Sequence, residues 1–155
     1  MTLVVDIQSA SSDPCPDEDD IRHWVEAALA GRREEAEVGV RLVDEAEMTT
    51  LNNRYRGKDG STNVLSFPAD LPPGVDHPLL GDIVICPAVV NREAGEQHKT
   101  PEQHWCHMLV HGSLHLLGYD HVEAADASRM EAIETGILQA LGFPCPYGDI
   151  AEAGA

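Results

Sequence analysis

The stretch from Thr100 to His121, "TPEQHWCHMLVHGSLHLLGYDH", constrains this chain more than any other. Thr100 is placed to cap a helix, Pro101 sits at its first position, and Gln103 completes a capping box. Gly118 marks the stop, because a residue without Cβ enters the left-handed region without a clash. The helix is thus bounded at both ends by its own residues. Four histidines, His104, His107, His111 and His115, ride on one stripe of it.

Residues four apart on a helix lie one turn above each other, about 6 Å apart at Cβ. Two imidazoles so placed, His111 and His115, can reach one metal ion at the ~2.0–2.1 Å of a zinc–nitrogen bond. A third ligand cannot follow one more turn along without leaving tetrahedral geometry. The break at Gly118 lets His121 return to the ion from another side. Three nitrogens leave a fourth position for water, which distinguishes a catalytic zinc from a closed structural one. The expectation is therefore one Zn²⁺ held by His111, His115 and His121. Asp120, beside His121, and His107, on the same helical stripe, are the candidates to support those ligands from behind. His104 is assigned a supporting, packing or solvated role, and His23, His77 and His98 are given no role.

The spacing H-x-x-x-H-x-x-G-x-x-H is that of the metzincin zinc proteases. Those enzymes carry a glutamate directly after the first histidine as general base, and here that position is Gly112. A peptidase reading lacks its proton acceptor.

Charge bears on the substrate. The chain has 27 acidic and 10 basic residues, a formal net charge of −17. Nonspecific nucleic-acid binding rests on Lys and Arg neutralising phosphates, so RNA or DNA would need a local basic patch. One exists in "NRYRGKDGSTNVLSFP", where Arg54, Arg56 and Lys58 fall within five positions. A guanidinium near a metal can grip a phosphate bidentately and stabilise charge in the transition state. Arg56 is assigned that role, with Arg54 and Lys58 as RNA-contacting or field-setting neighbours.

The remainder reads as one domain, residues 1–155. Thr2–Gln8, "EVGVRLVD", "NVLSFP" and "GDIVIC" have the short β-branched or apolar character of strands. Helical spacing falls in "DEDDIRHWVEAALAG", "DEAEMTTLNNRY", "PAVVNREAGEQ", the histidine helix and "AADASRMEAIETGILQALG". Four strands and about five helices make an α+β domain, with the tail from about 149 frayed. The N-terminus lacks a basic segment followed by a long apolar run, and no stretch approaches a membrane span. A cytoplasmic location is expected. Four scattered cysteines without a C-x-x-C pair read as reduced thiols, with metal ligation a minor role for Cys86 or Cys106.

"HGSLHLLGYDH", "RGKDGSTNVLSFP" and "GDIVIC" together closely resemble the YbeY family of bacterial endoribonucleases, the rRNA maturation factors. The resemblance runs from about Leu51 through His121. It implies a single-strand-specific, metal-dependent RNase that processes the 3′ end of 16S rRNA and takes part in ribosome quality control. It also implies zinc on His111, His115 and His121, a functional arginine at Arg56, and an α+β fold with a four-stranded sheet covered by helices. Ribosomal proteins and a ribosome-assembly GTPase are the partners it suggests. Two other readings stay open: a zinc peptidase or amidase, and a non-catalytic ribosome-assembly factor with a structural metal.

Overall fold

Alternation of apolar and polar residues builds the sheet. In a computed structural model, which describes residues 2–69, 78–119, 124–144 and 146, strand β2 (Glu35–Val43) buries Ala36, Val38, Val40 and Leu42. Glu37, Gly39 and Arg41 face the other way. β1 (Thr2–Ala10) and β4 (Leu79–Ile85) flank β2 in parallel, and the edge strand β3 (Val64–Pro68) pairs antiparallel with β4. The order is β1-β2-β4-β3.

A parallel pair requires a crossover, and α1 (Glu18–Leu29) supplies the one between β1 and β2. Its Ile21, Trp24, Val25, Ala28 and Leu29 are buried, as their helical spacing predicts. α2 (Glu45–Arg56) follows β2, α3 (Pro87–Glu96) follows β4, and α4 (Pro101–Leu116) and α5 (Ala124–Ala140) complete the chain. The architecture is a single α+β domain of four strands and five helices. Two cores result: one unites α1, α4 and α5 with the inward residues of the sheet. The smaller one gathers Met48, Leu65, Val84 and Val89. Among the described residues, no helix is long and apolar enough to cross a membrane.

α4 is the axis of the molecule. Thr100 Oγ1 accepts from the Gln103 N–H at 3.2 Å, and Pro101 stands at the first turn. At the far end Gly118 takes φ +103°. There Gly118 N–H donates to His115 O and Tyr119 N–H to Leu114 O, the paired bonds of a Schellman termination. Eleven of its residues are buried, so this helix is apolar nearly all round and its polar side chains need partners inside the protein.

One close approach sets the depth of α4. A Cβ added at Gly112 would stand 3.2 Å from Ile83 Cγ2 and 3.2 Å from Ser66 Oγ. Ser66 Oγ also donates to Gly112 O at 3.0 Å. The helix therefore lies against β3 and β4 at a point where only glycine fits without displacement, and this fixes the height of His111 above the sheet.

Candidate functional site

His111 and His115 converge as their spacing requires. Their Nε2 atoms are 3.0 Å apart, with the rings nearly perpendicular at 81°. Behind them sits a residue the sequence reading did not single out. Glu134 of α5, 1% exposed, places Oε2 3.2 Å from His111 Nδ1 and 2.7 Å from His107 Nε2. Burial pushes its carboxyl pKa up, but the hydrogen bonds from His107 and His111 outweigh that and hold it down at about 2. Glu134 is thus a buried carboxylate that accepts from both rings. Burial lowers the His107 pKa, against the opposing pull of Glu134.

A carboxylate accepting at Nδ1 keeps the proton on that nitrogen of His111 and leaves Nε2 with its lone pair toward His115. Two imidazole nitrogens at 3.0 Å repel unless a proton or a cation lies between them. A zinc ion at ~2.0–2.1 Å from each suits that separation, and a carboxylate behind one ligand is the usual support of such sites. The residues present fit the metal. His121 and Asp120, the third expected ligand and one expected support, lie outside the described residues. Among the described residues, no group of three His, Cys, Asp or Glu is placed to hold an ion.

Arg56 enters the same site from another element. It is the last residue of α2, released from the helix by Gly57 at φ +64°. Together with His111, His115, Ser66, Phe67 and Tyr119 it lines a cleft of about 670 Å³. The loop that follows is tied down: buried Asn52 donates from Nδ2 to Gly60 O at 3.0 Å, and Ser61 Oγ donates to Glu45 Oε2 at 3.3 Å. Arg54 and Lys58 do not line the cleft. The Arg54 guanidinium stands 5.6 Å over the Tyr55 ring, a cation–π contact, and Lys58 is exposed.

His104, read from the sequence as a supporting, packing or solvated residue, is buried and bonds Glu93 through Nε2 at 3.0 Å. Burial raises the Glu93 carboxyl, but the bonds from His104 and Asn63 prevail and leave it below its usual range. Cys86 and Cys106, given a minor metal role from the sequence, belong to no group of three His, Cys, Asp or Glu placed to hold an ion among the described residues. Both thiols are free and lie inside the hydrophobic clusters, and burial pushes the Cys106 pKa up to about 12.

Glu134 had a signal in the sequence. Met130, Ile137 and Leu138 of α5 are buried at helical spacing, and Glu134 occupies the same stripe. A carboxylate on an apolar face calls for a buried partner.

The solution structure of TM1509 from Thermotoga maritima is 25% identical in sequence and superposes with a TM-score of 0.58, covering 89% of this chain and 91% of that one. Residues 6–142 match the family described as endoribonuclease YbeY, a span that contains both helices of the Glu134 contact, the cleft and Arg56. The chain belongs to the endoribonuclease YbeY family.

Proposed function

We propose that this protein is a zinc-dependent endoribonuclease, specific for single strands, that matures the 3′ end of 16S rRNA and serves ribosome quality control in the cytoplasm. Ribosomal proteins and a ribosome-assembly GTPase are its proposed partners. The observation that carries this reading is the joint placement of the His111–His115 nitrogen pair and Arg56 in one cleft. Side chains able to bind a metal and a guanidinium around one space suit metal-assisted phosphodiester cleavage.

His111 and His115 would hold the ion, with His121 as the proposed third ligand. When bound, zinc supplies a Lewis acid and makes a nucleophile available at neutral pH. Glu134 keeps the proton on His111 Nδ1 and holds the ring in place. Arg56 takes the scissile phosphate bidentately and stabilises the charge that grows on its oxygens.

Gly112 speaks against a zinc peptidase or amidase. The position where such enzymes carry their general base is a glycine whose added Cβ would stand 3.2 Å from both Ile83 and Ser66, so a larger side chain there requires displacement.

The test combines metal analysis with cleavage of a single-stranded oligoribonucleotide by wild type and His115→Ala, purified in parallel. The expected result is about one zinc per chain and activity in the wild type alone. Equal RNA cleavage by the variant would overturn the reading. A 2′,3′-cyclic phosphate product would identify the RNA 2′-OH as nucleophile, whereas its absence throughout the time course would identify water.

A further inference from the structure

Directly across the Gly118–Tyr119 turn from the cleft lies a second pocket, about 400 Å³, and it is basic. Arg32, Arg33 and Arg129 line it, with Asp126 as the one acidic side chain among its lining residues. Three of the ten basic residues of a chain with net charge −17 thus meet in one concavity. Gly118 and Tyr119 line this pocket and the cleft alike.

The three arginines come from two distant parts of the chain. Arg32 and Arg33 follow α1, and both their backbone N–H groups donate to Leu29 O, at 3.0 and 3.2 Å. Arg129 comes from α5. Whereas Arg22, Arg41 and Arg92 are each in an ion pair, none of these three has an acidic partner among the described residues. Three like charges against one carboxylate in the described lining repel one another, and a fold that keeps them together has a use for an anion at that point.

We propose that Arg32, Arg33 and Arg129 form a second phosphate site, which grips the backbone of the RNA strand on one side of the bond presented to Arg56. This deepens the endoribonuclease reading and rests on it. Guanidinium groups hold phosphodiesters bidentately, and they read backbone rather than base. Tyr119, half-buried against the core and on the wall common to both spaces, is the ring assigned to stack an unpaired base between the two phosphate grips. A double helix buries its bases and cannot use that ring. The pocket also accounts for how so acidic a chain holds RNA: its positive charge is concentrated where the strand runs.

The experiment uses the full chain and fluorescein-labelled 2′-O-methyl RNA strands of ten and three nucleotides, with binding read by anisotropy across a series of salt concentrations. For R32A/R33A/R129A, Kd for the longer strand is expected to rise at least about tenfold, and the slope of log K against log salt to fall by about 2. The shorter strand, which spans only the cleft, is expected to lose far less. The triple Arg→Lys variant should recover part of the affinity, and D126N should tighten binding. Unchanged affinity for the longer strand would overturn the proposal, as would equal losses at both lengths or weaker binding by D126N. The two readings fail separately: wild type that binds the long strand but cleaves no RNA defeats the endoribonuclease assignment. Wild type that cleaves RNA while the triple variant binds normally defeats the pocket alone.

Discussion

Glu134 Oε2 lies 3.2 Å from His111 Nδ1, across the contact of two helices and 23 residues later in the chain. That one bond decides which nitrogen of His111 faces the cleft. Glu134→Gln keeps the shape and removes the charge, so the ring loses its fixed tautomer and part of its basicity. Zinc affinity is expected to fall about 10- to 100-fold, measured by competition with a chelator of known affinity. Affinity equal to wild type would mean that Glu134 does not support a ligand.

Arg56 is expected to act by its forked geometry. Arg56→Ala should lower kcat/KM on single-stranded RNA by roughly 100-fold, comparable to the loss of one preorganised donor to a developing oxyanion. Arg56→Lys should recover little, since a point charge cannot make the two parallel bonds. Full activity in the lysine variant would assign Arg56 to general field alone.

Gly112→Glu tests the close approach of α4 to the sheet. The added side chain begins 3.2 Å from Ile83 and Ser66 and forces a charge into a buried position of α4. The variant should lose at least about 3 kcal/mol of stability, read from urea unfolding midpoints. It should gain no peptidase activity. Wild-type stability would show that the helix lies farther from β3 and β4 than described.

The Glu93–His104 pair gives an acid dependence. The folded Glu93 pKa lies below its usual value of 4.5, so the carboxylate contributes stability that is complete above that pH. The contribution disappears as pH falls below 4.5 toward the depressed folded value. Wild type should therefore lose stability more steeply than Glu93→Gln on going from pH 5 to about pH 3. Parallel curves from urea titrations at each pH would remove Glu93 from the acid limb.

The sequence by itself determined the features that depend on neighbours a few residues apart. Thr100 and Gly118 end α4 because capping and left-handed turns are local chemistry. The four-residue spacing of His111 and His115 brings their nitrogens together for the same reason. Strand alternation in 35–43 and the buried face of α1 were legible in the same way. Sheet order was not, since parallel pairing of β1, β2 and β4 depends on crossovers rather than on any one segment. Nor was the union of Arg56 with His111, 55 positions away, or the meeting of Glu134 with His107. Gly112 reads in the sequence as a missing general base, and only the packing of α4 on Ile83 and Ser66 gives that absence a cause. Helical and strand periods are written into short stretches, whereas which buried charge finds which partner is settled by how whole elements pack.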